Sequence, residues 1–227
     1  MDAPHARTPV REALAGALSV VFPVWCVGCD APDATLCTDC RRQLQPTVVS
    51  RSVGGLAVWA GLEFSGVTAR ALRACKEEGR TSLVRALAPA LAAAAAAALQ
   101  GAEPGPVVVV PVPTSPSAMR RRGYRVVELL AARGGLHPQR LLQATGRAGD
   151  QRHLGIDERE RNVQGSMRAR STALSGRRVL VVDDVVTTGA TLREAVRACE
   201  SAGARVVGAA TVASTPRRSG ATAQHPQ

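Results

Sequence analysis

The sequence of this 227-residue chain predicts an α/β fold, a mostly parallel sheet with helices on both faces. Three observations carry that expectation. The runs Val107-Val108-Val109-Val110 and Val179-Leu180-Val181-Val182 are apolar on both faces, as strands buried inside a parallel sheet must be. Segments of helical period separate the apolar runs, and alternating strand and helix is the pattern of parallel strands joined by crossovers. Both runs end in loops rich in Pro, Gly, Thr or charge, and such sheets bind ligands at the carboxyl ends of their strands. Aromatic residues are only 2% of the chain, so the core must rest on Ala, Val and Leu.

The elements follow in order. Val10, Leu14, Ala17, Leu18, Val21 and Phe22 recur at helical spacing, which predicts a short amphipathic helix ended by Pro23. Four cysteines come next. Residues 56–64 read as a strand, and residues 66–76 as a helix closed near Gly79. Leu83, Leu87, Leu91 and Leu99 form an i+4 ladder whose alanine-rich interior, the best helix-forming composition, suits a helix packed closely on a sheet. After the strand at 107–110, Pro111-Val112-Pro113 opens a loop running to Arg120-Arg121-Arg122-Gly123-Tyr124. A helix over 126–133 stops at Gly134-Gly135. Residues 141–142 suggest a short strand, and 146–165 a long polar loop of the kind that usually serves function. A strand at 178–183, a helix over about 190–202 and a strand at 206–212 complete the sheet, and the tail after Thr215 has a disordered composition. The expected organisation is an N-terminal module over 1–55, the α/β domain over 56–214 and a tail over 215–227.

The segment from Val179 to Leu192 carries the chemistry. A buried strand ends in Asp183-Asp184, passes through Val185-Val186-Thr187-Thr188-Gly189-Ala190-Thr191, and enters a helix. Unpaired amides and the macrodipole make a helix N-terminus a phosphate site. Thr187, Thr188 and Thr191 add hydroxyl donors, and Gly189 lets the backbone approach an anion. Two carboxylates would repel that anion unless they grip ribose hydroxyls or a Mg²⁺ that arrives with it. This string resembles the phosphoribosyl-pyrophosphate (PRPP) signature of type I phosphoribosyltransferases.

Cys26-x₂-Cys29 and Cys37-x₂-Cys40 form two knuckles whose four sulfurs match tetrahedral Zn²⁺ with no position left for water, hence structural zinc. A redox Cys-x-x-Cys needs one pair, not two, and disulfides are rare in a cytosolic chain. Cys75 and Cys199 stand alone on helices and read as packed thiols.

The order of these pieces is similar to the ComF/GntX family of competence-associated proteins: two cysteine knuckles, a lone Lys76 near Gly79, Pro111-Val112-Pro113, Arg122-Gly123-Tyr124, then the PRPP-like turn. The resemblance runs from about Leu14 to Ala213. It implies a type I phosphoribosyltransferase-like domain behind a zinc ribbon, with Val112 in a pyrophosphate loop and Arg120, Arg122 and Lys76 as pyrophosphate contacts. It also implies a flexible loop carrying Gln151, Leu154, Arg159 and Asn162. Where the family often has Asn-Gln after the aromatic residue, this chain has Arg125-Val126. The implied cofactors are Mg²⁺ with PRPP and structural Zn²⁺. The implied partners are PRPP or a related ribose phosphate, single-stranded DNA and DNA-uptake proteins.

Charge bears on the same question. The net charge is +11, and residues 107–176 alone hold twelve arginines against five carboxylates. A diphosphate ligand or nucleic acid would each explain that field. The five aromatics do not form the several stacking platforms that single-strand binders use, with only Tyr124 lying among arginines. Residues 13–24 and 83–99 are apolar, but Glu12, Pro23 and Trp25 disfavour a cleaved leader, and Arg85, Pro89 and the alanine content disfavour a span. The expectation is a cytoplasmic chain without membrane insertion.

Overall fold

The computed structural model describes residues 24–145, 163–170 and 172–216. The helix expected over residues 10–22, the loop positions Gln151, Leu154, Arg159 and Asn162, and the tail from residue 217 lie outside the described residues.

The sheet is built from β1 (Val49–Val53), β2 (Leu56–Glu63), β3 (Val107–Pro111), β6 (Arg178–Val186) and β7 (Arg205–Ser214) in the order β1-β2-β7-β6-β3. All neighbours are parallel except β1, which pairs antiparallel with β2. The expected α/β class is therefore the observed one. Side-chain alternation explains why the central runs are apolar throughout. Val108, Val110, Val179 and Val181 pack into one core, while Val109, Leu180 and Val182 pack into the other.

After the short helix α1 (Thr38–Arg42), helices α2 (Gly66–Glu77), α3 (Val84–Leu99) and α5 (Val126–Arg133) cover the second of these faces. Helix α6 (Ala190–Glu200) covers the first, together with a ribbon of β4 (Leu142–Ala144) and β5 (Met167–Ala169). The alanines of α3 allow unusually close contact. A Cβ on Gly61 of β2 would stand 2.1 Å from the Ala90 carbonyl oxygen, so helix and strand meet backbone to backbone. Leu87 and Leu91 are fully buried beside this contact, each worth about 1.5–3 kcal/mol of apolar burial. The stretch Thr81–Leu99 is long and apolar enough to cross a membrane by length and composition, and half of it is buried within the fold.

Three elements depart from the sequence reading. Residues 49–53 form an edge strand joined to β2 by Gly54 and Gly55, both at positive φ (57° and 84°), as a two-residue hairpin turn demands. The expected module boundary at residue 55 falls within this hairpin. Residues 116–122, expected in a loop, form helix α4 (Pro116–Arg122), with Ser115 capping the Ala118 N–H, Pro116 at the first position and Gly123 left-handed at the end. Strand β6 runs on through the acid pair to Val186 rather than ending at Asp183.

Candidate functional site

Strand β6 lies between β3 and β7, so its carboxyl end opens inside the sheet and not at an edge. Because neighbouring residues of a strand face opposite ways, Asp183 and Asp184 point to different sides of it. Asp184 faces α2, whose last turn delivers Lys76, and the Lys76 Nζ lies 2.8 Å from Asp184 Oδ2. Asp183 is buried, and its Oδ1 accepts the Asp184 N–H at 2.8 Å. Burial, and secondarily the Asp184 charge, push the Asp183 carboxyl up to about 8, although the Asp184 amide and Lys76 pull the other way. A carboxyl raised this far keeps its proton at neutral pH, so it can donate to a hydroxyl ligand as well as accept from it.

The turn after β6 is shaped by one glycine. Gly189 sits at φ 83°, and a Cβ there would come 2.2 Å from Val53 Cγ1 of the edge hairpin. Both conformation and space demand glycine. Thr187 and Thr188 are exposed and Thr191 is half-buried. Helix α6 then begins at Ala190 with Gly189 as its N-cap, which offers no side chain to its first turn; the Thr188 hydroxyl accepts the Ala190 N–H at a long 3.3 Å. Arg193 donates to the Thr188 carbonyl at 3.3 Å and its stem lies over Gly54, so the hairpin braces the turn from below. Uncapped amides, hydroxyls and the positive helix end thus converge in one exposed place.

The other predicted contacts divide. Val112 is buried and its N–H donates to the Val182 carbonyl at 2.9 Å, which extends the ladder and leaves neither its amide nor its side chain open to a diphosphate. In a helix, residues two apart face different ways, so Arg120 and Arg122 part company. Arg122 joins Arg121, Lys76 and Tyr124 around a cleft of about 930 Å³. Arg120 faces a separate groove of about 370 Å³. Tyr124 donates its hydroxyl to the Cys75 carbonyl, locking the end of α4 to the last turn of α2. It is a clamp and not an open stacking platform. Lys76, Asp184 and Arg122 are brought together, and Arg120 is not.

The four knuckle sulfurs all lie within 4.8 Å of one another, with Cys29 and Cys37 3.6 Å apart. A tetrahedron of Zn–S bonds near 2.3 Å has edges of about 3.8 Å, so the set fits zinc. Cys26 and Cys40 are buried and Cys29 is exposed. Amides support the sulfurs: the Cys37 N–H reaches Cys26 Sγ at 3.3 Å and the Cys40 N–H reaches Cys37 Sγ at 3.4 Å. The knuckle docks on α2, where a Cβ on Gly28 would stand 3.0 Å from Val67 and Arg70 donates to the Gly28 carbonyl at 3.0 Å. Burial pushes the thiols of Cys75 and Cys199 up to about 11 and about 12, so both are packed and unreactive.

Two features escaped sequence reading. Glu194, buried on α6, accepts from Arg197 Nε and Nη2 at 2.7 and 2.8 Å and from the Met167 N–H at 3.0 Å, and Arg197 also donates to the Met167 carbonyl. Burial works to raise this carboxyl, but the Arg197, Met167 and Gly165 donors outweigh it and hold it below its ordinary value. The pair pins the β4–β5 ribbon to the helix behind the phosphate-type turn. The second feature is Glu128, which lies between Arg125 and Arg140 at 3.4 and 2.6 Å. Arg197 and Arg125 each lie three residues from their carboxylates, whereas Arg140 and Met167 lie twelve and 27 away, so only the i,i+3 half of each cluster was visible as a helical pair.

Comparison with known proteins places a family match on the C-terminal part of the chain. Residues 143–226 match the family described as the phosphoribosyl transferase domain. Over 44 residues the chain is 61% identical to adenine phosphoribosyltransferases of Rhodococcus jostii (strain RHA1) and Rhodococcus opacus (strain B4), a stretch that is 19% of this chain. The chain spans about a quarter of the length of these relatives, 25% in each case. A crystal structure of an adenine phosphoribosyltransferase aligns with 78% of this chain and 90% of its own at 13% identity and a TM-score of 0.41. The acid pair, the threonine turn and α6 all fall inside the matched residues 143–226, and the chain has a phosphoribosyltransferase-like α/β fold with a four-cysteine cluster on its N-terminal side.

Proposed function

We propose that this chain binds PRPP with Mg²⁺ at the carboxyl end of β6 and transfers its phosphoribosyl group to an acceptor. The observation that carries the reading is the junction of Asp183 and Asp184 with an uncapped helix N-terminus through Thr187-Thr188-Gly189, with Lys76 held against Asp184. The amides at the start of α6 and the hydroxyls of Thr187, Thr188 and Thr191 receive the 5′-phosphate, with Ala190 as part of the same turn. Asp183 and Asp184 accept the ribose hydroxyls. Lys76 has two donors beyond its bond to Asp184, and with Arg122 it faces the departing diphosphate. Its ammonium already lies against Asp184 Oδ2, and Asp183 and Asp184 would hold the Mg²⁺-bound ligand. When bound, the metal neutralises charge on the leaving diphosphate. The described residues of the site need supply no nucleophile: the bond from ribose C1 to diphosphate oxygen breaks, the acceptor's lone pair forms the new bond and its proton passes to solvent, and fixed donors stabilise the charge that leaves.

The ComF/GntX resemblance extends the proposal to a cytoplasmic role alongside DNA uptake, with single-stranded DNA and uptake proteins as partners. Arg125 beside Glu128 favours a second reading, a PRPP-sensing or nucleic-acid-associated module that binds without turnover. Calorimetry with PRPP and Mg²⁺ tests binding, and pyrophosphate release against bases, amines and single-stranded DNA tests transfer. No heat of binding refutes transfer and PRPP sensing alike, whereas binding without release leaves the second reading.

A further inference from the structure

Helix α4 separates two clefts that carry arginines, and the PRPP reading uses only one. The other opens beside Pro111 at the end of β3 and runs between α4, α5 and the β4–β5 ribbon. Among the described residues, four arginines (Arg120, Arg125, Arg140 and Arg170) rim it around the single carboxylate of Glu128. It continues past Glu128 into a shallower cleft that ends at Leu129, an exposed leucine. The floor is apolar: Pro111, Met119 and Leu142 line it.

The arginines are placed by backbone structure. Gln139 donates to the Val109 carbonyl at 2.8 Å, which fixes the segment presenting Arg140, and the Arg170 N–H donates to the Leu141 carbonyl at 2.8 Å. Two guanidiniums already converge on an oxyanion, the Glu128 carboxylate, at 2.6 and 3.4 Å. That carboxylate marks where an oxyanion sits, and it leaves the rim three positive charges in excess.

We propose that this groove is a second ligand site, for a small molecule with a flat apolar body and a phosphomonoester end. The phosphate spans Arg140 and Arg170, where planar forks match its oxygens. The flat portion covers the proline and methionine floor, in a volume of about 370 Å³ that a mononucleotide-sized body fills. Glu128 tunes the site by competing with the ligand for Arg125 and Arg140.

The site shares no residue with the Asp183–Lys76 cluster, so it stands or falls independently of the proposed function. The probe is phenyl phosphate, titrated calorimetrically into the full chain with inorganic phosphate as the comparison and with saturating PRPP and Mg²⁺ present. The expected result is one site that prefers phenyl phosphate. Arg140→Ala with Arg170→Ala weakens it at least tenfold, and Glu128→Gln tightens it severalfold. Both arginines are exposed, and an unchanged melting temperature verifies that the double variant folds. Equal affinity of the double variant and the native chain overturns the proposal. So does loss of all phenyl phosphate binding when PRPP is added, which would place the probe in the α6 turn. Equal affinity for inorganic phosphate would remove the apolar body from the ligand's definition and overturn the stated class.

Discussion

Asp183→Asn should make the protein more stable while removing its ligand binding. Burial, reinforced by the Asp184 charge, raises this carboxyl from its usual range to about 8. Below about pH 4 the folded and unfolded chains both hold the proton, and native and variant proteins should unfold alike. Between about 4 and 8 the folded chain keeps a proton that the unfolded chain has released. Native stability therefore falls as pH rises, with a slope approaching about 1.4 kcal/mol per unit. Above about 8 both states are ionised and the deficit is constant. Asparagine has the shape of the protonated acid and no charge to bury, so the variant escapes the deficit. Urea unfolding of both proteins at unit steps from pH 4 to 9 should show curves that coincide at the acid end and separate by several kcal/mol at the alkaline end. In parallel calorimetry, the variant should lose PRPP affinity, the mark of a group kept for its chemistry at a cost in stability. Curves that run parallel across the whole range would refute the argument, because they would show Asp183 to be solvated in the native state.

Gly189→Ala should cost about 2–4 kcal/mol and weaken PRPP binding, since it forces a left-handed alanine against Val53; denaturant melts and calorimetry read the two effects. Gly61→Ala should destabilise as much or more, because the added carbon meets the Ala90 carbonyl, yet it should leave ligand affinity unchanged in the surviving folded fraction. Cys40→Ser, or a strong chelator, should release one equivalent of zinc and lower the melting temperature, as shown by a metal indicator alongside circular dichroism. Glu194→Gln should lose about 1–3 kcal/mol by weakening the buried clasp on Arg197 and Met167, and hydrogen exchange should rise first in β5.

Legibility in the sequence followed the range of the interactions. Residues 107–110, 178–183 and 206–212 are strands because each run is apolar enough to need burial on both sides, a property carried by adjacent residues. The knuckles and the Asp183-to-Thr191 turn were equally readable, since the chemistry of each lies within fifteen positions. Residues 49–53 were not, because Val-Ser-Arg-Ser-Val at a sheet edge has little apolar signal and gains its strand from pairing with β2. Helix α4 could have been found from Ser115-Pro116 and Gly123, but its three arginines resembled a solvated loop.

Local covalent order thus specified which chemistries this chain could carry: a phosphate turn, an acid pair, a four-sulfur knuckle and a store of guanidinium groups. Long-range packing chose among them. It set Lys76 on Asp184, buried Asp183 while leaving Asp184 only half-buried, sent Arg122 and Arg120 into different clefts, and closed off Val112. Those outcomes depend on the distance between elements far apart in the chain, and no window of neighbouring residues holds that distance.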